Sequence, residues 1–315
     1  NFLVKKIIIM LSLASLFSQK RQKVEFEYYT VKDGLAENSV DVVLQDKQGF
    51  VWAGTENGLC RFDGYEFKVF EHNPFDSTTL MGNSITSLFQ DSKERLWVGT
   101  NPGLNRYDPT TETFIRYPHE LDNTNSIPQG PYSIEEDEQG NIWCVGWTPG
   151  VYKLNPETGG VVVFNHDPNN STSLLANPKS SANMFIKDSL GNMWSHHGRG
   201  LNLIDPINQQ ITHFTRGKKG GSISSDTITA LRADQLGNLW IGTNKGLDRM
   251  DIRTKTFEYY RHDPNQKFSI SNDSINYISE NKDGDLWVST NNGLNHFIQQ
   301  DQIFIQYHNV KKITS

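Results

Sequence analysis

The 315-residue chain lacks the features that mark several protein classes. It has only two cysteines, Cys60 and Cys144, so it is not a disulfide scaffold. Its 30 basic side chains are outnumbered by 36 acidic ones and form no long cluster, which argues against contact with nucleic acid. No apolar run reaches the roughly 20 residues that span a membrane. The motifs H-E-x-x-H, C-x-x-C and G-x-S-x-G are also missing, so we identify no catalytic residue, metal site or cofactor.

The amino-terminal end has the order of an export signal. Lys5 and Lys6 precede an apolar run over residues 7–17, and polar residues follow. This order predicts a signal peptide over residues 1–22, and a buried amphipathic helix is the alternative. Because residue 1 is Asn, we expect the chain to be a fragment of a longer reading frame.

The rest of the chain is repetitive. Six tryptophans recur about every 46 residues, at positions 52, 97, 143, 194, 240 and 287, and each lies in a phrase of the type DQLGNLWIGTNKGLDRMD. Periods of about 20 to 50 residues are typical of repeat architectures.

Each repeat predicts four short strands. An apolar run forms strand A, a D-x-x-G turn leads to strand B around the Trp, and an x-G-L turn leads to strand C. An aromatic segment such as KTFEYYRH then forms strand D. Four antiparallel strands per repeat predict an all-β fold, a β-propeller with six complete four-stranded blades. The blades span about 38–72, 83–119, 130–166, 180–215, 226–262 and 273–308, in a domain over residues 23–315.

The blade count rests on a further segment. Residues 24–30 (VEFEYYT) resemble strand D of the fifth repeat, although no strands A to C precede them. We therefore predict that they are one N-terminal strand of a seventh blade, because a blade shared by both chain ends removes exposed edges. Closure with six blades is the alternative.

Residues that recur at equivalent positions are predicted to be structural. Each repeat Trp should fill the space between adjacent sheets, with its N–H bonded to a partner. The turn Asp supplies one carboxylate, too few for a calcium site. The histidines at the ends of the D strands, His72, His119, His166, His262 and His308, should belong to the scaffold. Cys60 and Cys144 lie two blades apart and should be free and buried.

Candidate binding residues lie where the pattern breaks. Blade 3 replaces the G-T-x-x-G turn with a longer sequence that contains Trp147, and blade 4 replaces it with HHGRG. The loops from D to A and from B to C open on one end of a propeller, so these residues should surround the channel mouth. An indole face stacks on a sugar, and Arg or Lys binds carboxylate or sulfate. The predicted ligand site contains Trp147, Tyr132, His196, His197, Arg199, Lys218 and Lys219; loop drift in a degenerate repeat is the alternative.

The phrase D-x-x-G-x-L-W-I-G-T-x-x-G-L-x-R-x-D resembles the two-component regulator propeller repeat. The opening YYTVKDGL and linkers such as His262-Asp263-Pro264 support this resemblance, which covers residues 24–310. The chain departs from the pattern by an insertion in blade 3, by Ile298 in place of Asp, and by Glu94 in place of Gly.

The resemblance implies the periplasmic sensor region of a hybrid two-component histidine kinase of the Bacteroidetes kind. Such proteins combine a second propeller and an immunoglobulin-like module with a membrane helix and a kinase, and they typically detect oligosaccharides. It thus implies a periplasmic chain, anchored through the full-length protein in the inner membrane, that acts as a homodimer. No kinase region occurs in this sequence, so no enzymatic activity is assigned to it.

Two other functions remain open. The chain resembles propellers of the streptogramin-lyase type, and such an enzyme would need an acid and a base at the channel mouth, for which His196 and His197 are the candidates. Alternatively, the propeller is a rigid spacer or a dimerisation platform, with the signal bound elsewhere.

Overall fold

The computed structural model describes residues 28–120, 122–123, 126–177, 185–196, 199–217 and 221–307. It contains twenty-four strands in six antiparallel sheets, and each sheet pairs four consecutive strands in chain order. The six complete blades of the predicted propeller are therefore confirmed. The predicted signal peptide over residues 1–22 lies outside the described residues.

Blades 1 to 3 hold the first twelve strands. Blade 1 consists of β1 (Val40–Gln45), β2 (Val51–Thr55), β3 (Gly58–Phe62) and β4 (Phe67–Phe70). Blade 2 consists of β5 (Ile85–Gln90), β6 (Leu96–Thr100), β7 (Gly103–Asp108) and β8 (Thr113–Pro118). Blade 3 consists of β9 (Ser133–Glu136), β10 (Ile142–Val145), β11 (Val151–Leu154) and β12 (Val161–Phe164).

Blades 4 to 6 hold the remaining twelve. Blade 4 consists of β13 (Phe185–Lys187), β14 (Met193–His196), β15 (Leu201–Ile204) and β16 (Ile211–Phe214). Blade 5 consists of β17 (Ile228–Ala233), β18 (Asn238–Thr243), β19 (Gly246–Asp251) and β20 (Phe257–Tyr260). Blade 6 consists of β21 (Ile275–Glu280), β22 (Leu286–Thr290), β23 (Gly293–Ile298) and β24 (Ile303–Tyr307).

The first five repeat tryptophans lie in the seams between blades, as predicted. Each is buried among apolar side chains of the following blade; Trp52, for example, packs with Ile85, Val98 and Tyr107 of blade 2. The same arrangement holds for Trp97, Trp143, Trp194 and Trp240. The seams therefore form a series of separate hydrophobic cores, one for each pair of neighbouring blades.

The turn Asp supplies the predicted partner of each buried indole. In blade 5, Asp234 Oδ1 accepts the backbone N–H groups of Leu236 and Asn238, and Asp234 Oδ2 accepts Nε1–H of Trp240 at 2.8 Å. Four other blades have the same Asp–Trp bond at 2.7–2.8 Å. One carboxylate thus fixes both the A–B turn and the ring that fills the seam.

Blade 6 departs from this arrangement. Asn281 replaces the turn Asp, and its single side-chain oxygen accepts the backbone N–H groups of Asp283 and Asp285. The other terminal atom of an amide is a donor, so it cannot accept an indole N–H. Trp287 is only partly buried, and it stacks on His296 at 4.6 Å between ring centroids.

The face of blade 6 that points away from blade 5 is also exposed. Leu294 is 40% exposed, whereas the residues at the equivalent position of the other blades are completely buried: Leu59, Leu104, Val151, Leu201 and Leu247. No other blade of the described chain therefore covers this face, which disfavours closure by six blades. The seventh blade stays a prediction, since residues 24–27 of its proposed strand lie outside the described residues. Residues 28–30 form no strand, and a short 3-10 helix over Val31–Asp33 follows them.

Scaffold histidines and free cysteines are confirmed where the structure describes them. The Nδ1 atoms of four D-strand histidines, His72, His119, His166 and His262, lie 2.6–2.8 Å from the carbonyl oxygen eight residues later and close the D–A loop. His308 lies outside the described residues. Cys60 and Cys144 are free and buried, and burial raises the pKa of both thiols.

The first strands of neighbouring blades pack against one another and are the innermost strands, and that of blade 3 carries a charged side chain. Glu135 on β9 is densely surrounded by protein, although part of its side chain still contacts solvent, and it accepts a hydrogen bond from the backbone N–H of Lys187 on β13. Burial raises the pKa of its carboxyl to about 7, against the weaker lowering effects of that bond and of the Lys187 and Arg232 charges. Glu135 therefore changes charge near neutral pH.

The Asp–Trp bond can be tested in blade 5. Asp234→Asn leaves the buried Trp240 N–H without an acceptor. We therefore expect the free energy of unfolding to fall by about 1 to 3 kcal/mol, measured as a lower urea midpoint. Asn281→Asp in blade 6 is the matched control, because it adds an acceptor beside Trp287 and should leave the midpoint unchanged or higher. Equal losses in both variants would contradict this account.

Glu135 predicts a pH dependence of stability. Between pH 4.5, its ordinary pKa, and about 7, the folded state holds a proton that the unfolded state releases, so this group's contribution to stability falls as the pH rises. The free energy of unfolding of Glu135→Gln, relative to that of the wild type, should be about 1 to 3 kcal/mol higher at pH 8 than at pH 5. Urea unfolding of both proteins at the two pH values measures this difference. Glu56→Gln, at an exposed turn of blade 1, is the control. A gain that is independent of pH would argue against the raised pKa.

Candidate functional site

The B–C turns and D–A loops meet at one end of the blades, as predicted. At this end, the side chains of Trp147 and Tyr132 contact each other edge to face, with ring centroids 5.7 Å apart. Trp147 follows β10 and Tyr132 precedes β9, and the backbone N–H of Tyr132 bonds to Val145 O at 2.9 Å. Trp147 remains 39% exposed, so one part of this aromatic pair is open to a ligand.

Hydrogen bonds hold the loops that carry this pair. The backbone N–H of Trp147 donates to Gln129 O at 2.7 Å, and the backbone N–H of Gln129 donates to Thr148 Oγ1 at 3.1 Å. Gln129 Nε2 also donates to Asn101 Oδ1 of blade 2 at 3.0 Å. The longer B–C connection of blade 3 is thus tied to the neighbouring blade, which fixes the position of the indole.

Gly130 allows the indole to lie close to the loop backbone. It has a φ of 54°, and a Cβ at this position would lie 2.8 Å from Trp147 Cδ2. Only glycine accommodates both the left-handed backbone and this close contact. The indole of Trp147 therefore packs directly against the Gly130 backbone.

The structure does not bring the other predicted site residues together with Trp147 and Tyr132. His196 is the last residue of β14 and is only 2% exposed, at the strand position that Gly54, Gly99 and Gly242 occupy in other blades. It is therefore buried and does not expose its ring to solvent at the mouth. Arg199 is exposed in the turn between β14 and β15. His197, Lys218 and Lys219 lie outside the described residues, so the structure joins only Trp147 and Tyr132 from the predicted set.

The structure adds a feature that the sequence analysis missed. The strand register shifts at the start of the innermost strand in blades 1, 2, 5 and 6, which leaves one extra residue in each: Asp41, Thr86, Thr229 and Asn276. Such bulges redirect side chains and occur often beside functional sites. The signal in the sequence is a pair of apolar residues three apart, as in Ile85-Thr86-Ser87-Leu88, where strict alternation would place them two apart.

Amides and hydroxyls dominate this end of the blades. Asn276 Nδ2 donates to Asn291 Oδ1 at 3.1 Å, and Ser225 Oγ donates to Asn244 Oδ1 at 2.7 Å. No three His, Cys, Asp or Glu side chains of the described ranges lie close enough together to hold a metal ion. The described side chains at this end can form hydrogen bonds and stack on a ligand, and Arg199 adds an exposed positive charge.

Comparison with known proteins identifies the repeat. Segments 34–57, 79–101, 222–245 and 269–292 match the profile of the two component regulator propeller family. These segments begin blades 1, 2, 5 and 6, the same four blades whose inner strands are bulged.

Two similar proteins, a histidine kinase and the extracellular domain of a hybrid system, are both longer than this chain. Histidine kinase P4 of Formosa agariphila is 39% identical over 80 residues, which are 25% of this chain and 6% of the relative. The extracellular domain of a hybrid two component system from B. thetaiotaomicron superposes with a TM-score of 0.65 at 24% identity, over 90% of this chain and 37% of that one. The chain thus spans a small part of the curated relative and about a third of this solved structure.

An enzyme shares the fold. Virginiamycin B lyase from Staphylococcus aureus superposes with a TM-score of 0.57 at 15% identity, over 85% of this chain and 83% of the lyase. At this identity the likeness concerns the fold alone. The four matched segments agree with the repeat phrase, so these parts of the chain are repeats of the two component regulator propeller type.

Proposed function

We propose that this chain is the ligand-sensing propeller of a hybrid two-component histidine kinase and that it detects an oligosaccharide to regulate polysaccharide utilisation. The sequence relationship to a histidine kinase and the fold of a hybrid system's extracellular domain support a sensor role. In this proposal the chain is exported and lies in the periplasm, and the full-length protein is anchored in the inner membrane. In the described part of the chain, no helix is long and apolar enough to cross a membrane.

The aromatic pair of Trp147 and Tyr132 carries the proposal for a sugar ligand. An indole that is partly exposed and fixed by its own backbone loses little freedom on binding, and its face matches the C–H face of a pyranose. Amides and hydroxyls elsewhere at this end of the blades, such as those of Asn276 and Ser225, both donate and accept hydrogen bonds, as sugar hydroxyls require. Arg199, together with Lys218 and Lys219, would select an acidic sugar.

Signal transfer in this proposal requires further protein. We expect the full-length protein to contain a second propeller and an immunoglobulin-like module and to act as a homodimer. A ligand that binds one arrangement of the dimer more tightly shifts the population towards it, and the kinase responds to that shift. The propeller itself supplies recognition and no chemistry.

The lyase alternative has less support from the geometry. It relied on His196 and His197 as acid and base at the channel mouth, and His196 is buried within blade 4. The proposal therefore assigns binding, and an assay for degraded sugar in the same experiment tests the alternative.

Binding at the aromatic pair can be measured directly. We expect at least one member of an oligosaccharide panel to raise the melting temperature of the purified chain, and Trp147→Ala to weaken that ligand about 30-fold, because the main stacking surface is lost. Trp147→Phe should retain most of the affinity. Phe75→Ala, which removes a 97% exposed ring elsewhere, is the control. Unchanged affinity in Trp147→Ala would refute the site, and no stabilisation by any oligosaccharide would favour a structural platform.

A further inference from the structure

A second cleft lies at the opposite end of the blades, between blades 5 and 6. It has a volume of about 610 Å³ and is lined by Gln235, Asn238 and Arg249 from blade 5 and by Lys282, Gln299 and Gln300 from blade 6. This volume falls within the roughly 300 to 1,000 Å³ of small-ligand pockets. The cleft is distinct from the Trp147 site, because the A–B and C–D turns surround it.

One substitution contributes to the size of this cleft, since the cleft in the preceding seam has a volume of only about 330 Å³. In the preceding seam, Ile252 follows strand β19 and is buried beside Trp194, where it closes this end of the hydrophobic core. Gln299 occupies the corresponding place after β23, and its Nε2 donates to Gly284 O at 2.5 Å. The side chain folds back onto its own blade, so no apolar group fills the space towards blade 5.

Three of the charged side chains that line the cleft, Arg249, Glu280 and Asp285, have partners. Arg249 pairs with Glu258 at 3.1 Å, and Asp285 accepts His296 Nε2 at 3.1 Å. The Glu280 side chain is only 1% exposed, and it binds Arg232 at 3.2 Å and the backbone N–H of Gln235 at 3.3 Å. Lys282 and Asp283 contribute opposite charges side by side. These charges nearly cancel and leave the Asp285 carboxylate in excess, so a strongly anionic ligand would find no net positive charge to complement its own.

The groups that remain for a ligand are mainly amides. Gln235 and Gln300 are exposed at the two walls, and Glu280 fixes the turn that carries Gln235. Each amide both donates and accepts hydrogen bonds, which matches hydroxyl groups. Leu236 is 71% exposed at the rim and offers an apolar contact to C–H groups. The walls are turns, so a peptide cannot bind here by extending a sheet edge.

We propose that this cleft is a second ligand site and that it binds a neutral, hydroxyl-rich molecule such as a monosaccharide unit. The site is independent of the Trp147 pair and needs none of its residues.

The test is a titration followed by NMR. The isotope-labelled wild-type chain is titrated separately with D-glucose, D-galactose, D-mannose, D-xylose, L-arabinose and L-rhamnose, and with inorganic phosphate as a charged probe. We expect at least one sugar to shift the side-chain amide resonances of Gln235 and Gln300, and phosphate to leave them unchanged. If no sugar shifts these resonances, or if phosphate shifts them more than the sugars do, the proposal is wrong.

Two variants separate the sites. The double variant Gln235→Ala and Gln300→Ala should weaken the sugar about tenfold, because two hydrogen bonds are lost. Gln139→Ala, at an exposed turn of blade 3, is the matched control and should retain the wild-type affinity. Trp147→Ala should also leave this binding unchanged, so failure here is distinguishable from failure at the aromatic pair. Undiminished binding by the double variant would overturn the assignment.

Discussion

A hydrogen bond between a turn aspartate and a buried indole organises this propeller. It occurs in blades 1 to 5, and each time the same carboxylate also holds the A–B turn of its blade. A cationic side chain lies over each of these indoles, 5.1–5.8 Å from the ring: Arg61, Arg95, Lys153, Lys255 and Arg249. The turn, the seam and the surface charge of each blade thus depend on one local arrangement.

This arrangement lets the two ends of the blades vary. Since packing in the seams is fixed by Asp, Trp and the aliphatic side chains of the next blade, the loops at the other end can change without loss of the fold. Blade 3 uses this freedom for the longer connection that carries Trp147. At the end held by the turn carboxylates, blade 6 lacks the Asp–Trp bond, and Gln299 borders the amide-lined cleft. Both proposed sites lie in blades that depart from the repeat pattern.

The sequence predicted the scaffold more completely than the site. Trp spacing, D-x-x-G turns and aromatic D strands predicted six blades and buried tryptophans because each residue repeats one local constraint. The placement of Trp147 and Tyr132 at the same end of the blades was predicted from the loop order of a propeller, but their direct contact was not. The burial of His196 was not, because the replacement of a glycine by histidine does not reveal whether the ring turns inwards. The cleft beside Gln299 was missed as well, since it depends on the direction of one side chain.

Exchange of the indole N–H protons with deuterium tests the central claim most directly. The chain has seven tryptophans, and NMR can follow each Nε1–H separately. We expect slow exchange for the five indoles bonded to turn aspartates and fast exchange for Trp147 and Trp287. Exchange of the five at the same rate as Trp147 would contradict the account, because the seams would then not be held by buried Asp–Trp bonds.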